Sequence, residues 1–107
     1  MTSQPRLPVV LLWHMHQPQY RDALTGEYVL PWTYLHALKD YTDMAAHLEA
    51  IPAARAVVNF TPVLIEQLEE IARRVTDHLQ TGSALPDPVL ALLVPTLYHE
   101  IRPSAWS

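Results

Sequence analysis

An apolar run that ends in two histidines is the feature that most constrains the fold of this chain. Residues 7–15 are apolar nearly throughout, and a continuous apolar run is typical of a strand covered on both faces, as in a parallel sheet. His14 and His16 stand two residues apart at its end, so we expect their rings on the same side of the strand. Gln17 and Pro18 follow, and Pro18 stops the strand because proline has no N–H to donate. The carboxyl ends of such strands are where α/β enzymes build their sites.

A long loop and an amphipathic helix follow the first strand. Residues 17–31 are predicted to form a loop with turn chemistry at Asp22 and Gly26, and loops of about fifteen residues are usually functional. Pro31 suits the first residue of a helix, which Pro52 ends. The apolar stripe of this helix is predicted to comprise Tyr34, Leu38, Tyr41, Ala45 and Leu48.

A second strand and a second helix come next. Residues 56–60 are short and β-branched, as in a strand, and Thr61-Pro62 is a cap and first-residue signal for a helix. The inner stripe of that helix is predicted to be Leu64, Leu68, Ile71 and Val75. Its solvent face is predicted to carry Glu66, Glu69, Glu70, Arg73 and Arg74, with two i,i+4 ion pairs, Glu69–Arg73 and Glu70–Arg74.

The element order predicts an α/β fold, a β-α-β-α unit with parallel strands and right-handed crossovers. Two strands leave one face and both edges of a sheet without partners, so we expect residues 1–80 to be the N-terminal part of a barrel or a larger open sheet. A linker is predicted over residues 80–88. The second segment, residues 81–107, is predicted to hold most of this linker, a short helix from Val89 to Pro95 and, over 102–107, the ragged end of a truncated chain.

Composition narrows the function classes. The chain of 107 residues has a formal charge of −4 and seven scattered Lys and Arg residues, which does not indicate a nucleic-acid groove. The lack of cysteine excludes disulfides and thiolate metal sites. We expect no signal peptide and no membrane span, because no stretch approaches the ~20 apolar residues that a span needs. A cytoplasmic location is the default expectation.

Three polar side chains at the end of the first strand form the first candidate site. His14, His16 and Gln17 are predicted to line the wall of a site for a polyhydroxylated ligand, because imidazole and amide groups both donate and accept hydrogen bonds. An alternative is a metal shared by the two histidines. A second alternative is a structural role for both rings.

Further candidates lie on the following helix and strand. Trp32, His36 and Asp40 follow each other at i,i+4 on one helical stripe, and an exposed indole could stack on a sugar ring; the alternative is that Trp32 packs into the core. Asn59 ends the second strand, level with the histidines if the strands are in register. The alternative role of Asn59 is to bond the backbone at the start of the following helix, and this is the role that we favour for Thr61. The remaining histidines, His47, His78 and His99, are predicted to be surface residues without a role.

Several of these segments resemble the amino-terminal part of glycoside hydrolase family 57, which contains α-amylases, amylopullulanases, glucanotransferases and branching enzymes. The resemblance covers about residues 7–70, and the chain departs from the family after about residue 80. It is carried by His14-Met15-His16-Gln17-Pro18, Pro31-Trp32, Leu35-His36-Ala37-Leu38-Lys39-Asp40-Tyr41 and Val58-Asn59-Phe60-Thr61-Pro62-Val63-Leu64.

The resemblance implies an incomplete (β/α)7 barrel, α-glucan or maltooligosaccharide substrates and a retaining mechanism without a cofactor or a required metal. The family's nucleophile is a Glu and its acid an Asp, and both lie downstream of the matched region, so we expect them beyond residue 107. The resemblance also implies that His14 and His16 lie near the sugar at subsite −1 and that Trp32 forms a wall of the site. With the residues argued above, the predicted substrate-binding set is His14, His16, Gln17, Trp32, His36 and Asn59.

The sequence therefore predicts an N-terminal fragment of a retaining α-glucan-active glycoside hydrolase or transglycosylase. Such a fragment would contribute sugar-binding residues but not the catalytic carboxylates, and it would be inactive alone. One alternative is a fragment of a metal-dependent, amidohydrolase-type barrel, in which a His-x-His also ends the first strand. The other is a small non-enzymatic binding module.

Overall fold

The computed structural model describes residues 3–85 and 87–101, with side chains up to Pro95. Two strands and four helices follow one another along this part of the chain. They are β1 (Leu12–Met15), α1 (Trp32–Leu38), α2 (Asp40–Ala50), β2 (Val57–Phe60), α3 (Pro62–Thr81) and α4 (Pro88–Ile101).

β1 and β2 form a parallel two-stranded sheet, as the β-α-β order predicts. The register pairs Leu12 with Val57 and His14 with Asn59. The N–H of Val57 donates to the carbonyl of Leu11 at 2.9 Å, and the N–H of Thr61 donates to that of Met15 at 3.1 Å. The predicted alignment of Asn59 with the first histidine is therefore confirmed.

The two faces of the sheet have different environments. One face of the sheet packs toward α2 and carries Trp13, Met15, Val58 and Phe60. A cavity of about 190 Å³ lies between this face and α2, where its lining is completed by Tyr41, Met44, Ala45 and Leu48. Alternation along the strands puts Leu12, His14, Val57 and Asn59 on the opposite face, where all four are exposed. The predicted cover on both faces is wrong within the described residues, because α2 covers one face only. The strand is also shorter than residues 7–15 and begins at Leu12.

The single helix predicted between Pro31 and Pro52 is two helices. Lys39 separates α1 from α2, with φ −120° and ψ −78°, outside the α-helical region. The break divides the predicted apolar stripe: Tyr34 is buried in the core, whereas Tyr41 and Leu48 face the sheet. One stripe thus serves two surfaces.

The main core lies between the loop of residues 17–31, α1, α3 and α4. Its buried members are Tyr28, Tyr34, Ile71, Leu90 and Val94. The predicted inner stripe of α3 is confirmed, with Leu64 and Ile71 buried and Leu68 and Val75 half-buried. The rings of Tyr28 and Tyr34 meet edge to face, with centroids 6.1 Å apart.

Gln67, buried on α3, fastens the start of the loop. Its Oε1 accepts from the hydroxyl of Thr33 at 3.0 Å and from the N–H of Tyr20 at 3.4 Å. Its Nε2 donates to the carbonyls of Pro18 at 2.9 Å and Val63 at 3.1 Å. Every hydrogen-bonding position of the amide is filled, so the loop and α1 are held to α3 at this point.

Arg74 fastens the other end of the loop. Its guanidinium pairs with Glu70 and with Asp87, the latter at 3.1 Å, and it donates to the carbonyl of Gly26 at 2.5 Å. It also lies 5.5 Å from the ring centroid of Tyr28, whose hydroxyl donates to Glu70 at 2.8 Å. Gly26 has a φ of +73°, a conformation that glycine adopts without strain.

The prediction that Glu70 and Arg74 lie on the solvent face of α3 is therefore wrong. Glu70 is 7% exposed and Asp87 2% exposed, because the loop folds back over this side of the helix. Glu66, Glu69 and Arg73 are exposed, as predicted.

The ends of α3 and α4 differ from the predictions. α3 reaches Thr81 and is capped by Gly82, which has a φ of +74°. α4 begins at Pro88 and continues through Pro95 to Ile101, so the predicted end at Pro95 is wrong. Burial of Leu90 and Val94 in the core favours the helix despite the N–H that Pro95 lacks. The predicted ragged end over 102–107 and the side chain of His99 lie outside the described residues.

Within the described residues, no helix combines the length and the apolar character that crossing a membrane requires.

Replacing Arg74 by Met should lower the free energy of unfolding by about 3 kcal/mol, because Glu70 and Asp87 would remain buried without a counter-charge. Arg73→Met, one residue away on the exposed side of the same helix, is the matched control and should change it by less than about 0.5 kcal/mol. Urea unfolding followed by circular dichroism measures both. Equal losses in the two variants would contradict the assigned role of Arg74.

Stability should fall as pH rises above about 10. Burial, and after it the hydrogen bond to Glu70, raises the pKa of Tyr28 well above 10.0. The folded state holds the Tyr28 proton more tightly than the unfolded state does. The contribution of this proton to stability is therefore complete below the pKa that Tyr28 has in the unfolded chain. It is lost as pH rises toward the higher pKa that Tyr28 has in the folded chain. Burial also raises the pKa of Tyr34, so part of the pH dependence should persist without Tyr28. In Tyr28→Phe, the midpoint of urea unfolding should therefore fall less steeply with rising pH than in the wild type. An unchanged slope in Tyr28→Phe would refute this.

Candidate functional site

His14 and Asn59 form a hydrogen-bonded pair across the two strands. The Nδ1 of His14 lies 2.7 Å from the Oδ1 of Asn59, and both side chains are exposed. Because an amide oxygen only accepts, Nδ1 must be the donor. In the neutral ring this leaves Nε2 as a hydrogen-bond acceptor. The bond to His14 also contradicts the alternative in which Asn59 serves only as a cap.

His16 stacks against His14 on the same side of the strand. The ring centroids are 6.1 Å apart and the planes differ by 8°, so the prediction that both imidazoles share a side is confirmed. His16 follows the last residue of β1 and is exposed. Two imidazoles and one amide thus form a continuous polar surface on the exposed sheet face, which we call the histidine face (His14, His16 and Asn59).

Gln17 belongs to a second cluster, at the carboxyl end of β1. Its Nε2 donates to the hydroxyl of Tyr41 at 3.1 Å, and its Oε1 accepts from the hydroxyl of Tyr20 at 3.4 Å. These contacts join the strand end, the loop and α2. The side chain is half-buried.

His36 lies in the same cluster as Gln17. Its Nδ1 is 2.5 Å from the Oδ2 of Asp40, and its ring stacks on that of Tyr41 with centroids 5.8 Å apart. The carboxylate accepts, so Nδ1 donates and the neutral ring keeps Nε2 as an acceptor. We call Gln17, His36, Asp40 and Tyr41 the tyrosine cluster.

Trp32 lies one helical turn before His36 on α1. It is the first residue of α1 and is 47% exposed. Its indole makes no hydrogen bond or ring contact with any residue in the described part of the chain. The alternative in which Trp32 packs into the core is therefore wrong, and an apolar ring surface remains open at this position.

Sequence reasoning missed Tyr41 and gave Asp40 little weight. Tyr41 was assigned to the apolar stripe, and its ring does line the cavity beside the sheet, but its hydroxyl serves Gln17. The i,i+4 spacing of His36 and Asp40 was the signal that could have paired them.

The remaining residues singled out in the sequence have local roles. Thr61 occupies the N-cap of α3 without a capping side-chain bond; its hydroxyl donates instead to the carbonyl of Met15 at 3.4 Å. His47 is exposed, as predicted. His78 is half-buried, and its Nδ1 lies 2.7 Å from the carbonyl of Ser83 just beyond α3.

Hydrogen bonding is the chemistry that this arrangement offers. The histidine face and the tyrosine cluster present imidazole, amide and phenol groups, and the carboxylate of Asp40 is engaged by His36. The described residues contain no group of three or more His, Cys, Asp or Glu side chains that could hold a metal ion.

Parallel strands joined by helices, with hydrogen-bonding side chains at their carboxyl ends, define a β-α-β-α unit of an α/β fold. The model of glycosyl hydrolase family 57 matches residues 10–99, which is most of the chain. The chain belongs to that family. No curated protein and no solved structure matches it. The match extends beyond the predicted limit near residue 80, so the expected departure there is wrong and α4 lies in the family region.

Replacing Asn59 by Ala should allow the neutral ring of His14 to adopt both tautomers. The ¹⁵N chemical shifts of the neutral imidazole should then move from the Nδ1-protonated pattern toward a mixture of the two tautomers, because the acceptor opposite Nδ1 is gone. His47 on α2 is the control and should not change. Identical His14 shifts in the wild type and in Asn59→Ala would contradict the assigned bond.

Proposed function

We propose that this chain supplies part of the substrate-binding wall of a retaining glycoside hydrolase or transglycosylase that acts on α-glucans. Membership of glycosyl hydrolase family 57 supports glycosidic chemistry and a carbohydrate substrate.

The pairing of His14 with Asn59 is the observation that carries the proposal. A single hydrogen bond at 2.7 Å holds the imidazole on an exposed sheet face, so little side-chain freedom is lost when a ligand binds. The neutral ring accepts at Nε2, and a sugar hydroxyl can donate to it. His16, stacked at 6.1 Å, enlarges the same polar surface.

Gln17, His36 and Trp32 complete the proposed wall. The amide and the second imidazole would bind hydroxyl groups, and the exposed indole would stack on the apolar face of a sugar ring. Trp32 and His36 lie one turn apart on α1, so the indole would extend the wall beside the second imidazole.

Retaining hydrolysis needs two carboxyl groups about 5–5.5 Å apart on either side of the scissile bond. The buried carboxylates Glu70 and Asp87 are both bound to Arg74, and Asp40 is bound to His36. We therefore assign neither catalytic role, nucleophile or acid, to Glu70, Asp87 or Asp40. The 107-residue chain is therefore expected to bind sugar without hydrolysing it.

Family membership favours this proposal over a metal-dependent amidohydrolase and over a non-enzymatic binding module. The cytoplasmic location remains a prediction.

Titration of the isotope-labelled chain with maltoheptaose should shift the ring signals of His14 and His16, the side-chain amide of Asn59 and the indole N–H of Trp32. Cellohexaose, whose linkages are β, should cause much smaller shifts at equal concentration. The ring of His47 and the indole of Trp13, which lies on the opposite sheet face, are internal controls. Absence of shifts with maltoheptaose would refute the proposed function.

A further inference from the structure

We propose that Tyr41 is a positioning residue of the sugar-binding wall and sets the orientation of both Gln17 and His36. This inference rests on the proposed function and adds a residue that the sequence had assigned to apolar packing alone. Tyr41 is the member of the tyrosine cluster that contacts both binding candidates.

The hydroxyl of Tyr41 helps to hold the Gln17 amide in place. It accepts from Nε2 at 3.1 Å, while the hydroxyl of Tyr20 donates to Oε1 at 3.4 Å. The amide is therefore held from both of its ends, by α2 and by the loop. The observed orientation leaves one N–H and one oxygen lone pair for a ligand.

The ring of Tyr41 supports His36. The two rings stack with their centroids 5.8 Å apart and their planes 25° apart, while Asp40 holds Nδ1 from the first turn of α2. His36 is thus constrained by two neighbouring residues just beyond the helix break at Lys39.

The two functions of Tyr41 can be separated by mutation. Its ring lines the cavity between α2 and the sheet, with Trp13, Met15 and Phe60, and this packing persists in Tyr41→Phe. Only the hydroxyl that serves Gln17 is lost. A role in packing alone would leave sugar binding unchanged in that variant.

Tyr41→Phe should therefore weaken maltoheptaose binding by the 107-residue chain about three- to tenfold, the usual effect of one hydrogen bond. The side-chain amide signals of Gln17 should shift in the free protein, before any sugar is added. Thr42→Val is the matched control: it removes a hydroxyl from the next residue of α2, which donates to the carbonyl of Ala37 rather than to the cluster. It should leave both the affinity and the Gln17 signals unchanged.

A double-mutant cycle distinguishes positioning from independent binding. If Tyr41 acts through Gln17, then Gln17→Ala and Tyr41→Phe should be non-additive, and the double variant should bind like Gln17→Ala alone. Additive losses, unchanged affinity in Tyr41→Phe, or unchanged Gln17 signals would each overturn the positioning role while the proposed function stands. A wild-type chain that does not bind maltoheptaose would overturn the proposed function, and this inference with it.

Discussion

The attachment of the 17–31 loop to α3 is the constraint on which the rest of the structure depends. Gln67 and Arg74 hold the loop at its two ends through backbone carbonyls and through Tyr28. Both hydrogen bonds are partly buried, where backbone polar groups need such partners, and α3 supplies them from side chains within two turns of each other. Because the loop carries Gln17 at its start and leads into α1 at its end, the same attachment positions the tyrosine cluster.

The two faces of the sheet differ because side chains alternate along each strand. Odd positions of β1, Trp13 and Met15, pack toward α2, while His14 projects to the open face beside Asn59. A strand of four residues thus contributes to the packing against α2 and also presents polar side chains on the open face. This division supports the proposal that the open face binds sugar.

Local signals predicted much of this arrangement. Parallel strands, the shared side of the two histidines and the level of Asn59 follow from strand periodicity and element order, and the structure confirms them. The errors came from long-range contacts. Arg74 has the pattern of a solvent-exposed residue, yet it is half-buried because a loop from 48 residues earlier covers part of it. Lys39 breaks a helix whose periodicity continues, and Tyr41 combines an apolar ring with a hydroxyl whose partner lies on another element.

Intermolecular nuclear Overhauser effects between maltoheptaose and the isotope-labelled chain test the central claim most directly, because they report which face of the sheet the sugar touches. The account predicts contacts from sugar protons to the ring protons of His14 and His16 and none to the indole of Trp13, which lies on the packed face. Contacts to Trp13 without contacts to either imidazole would contradict it.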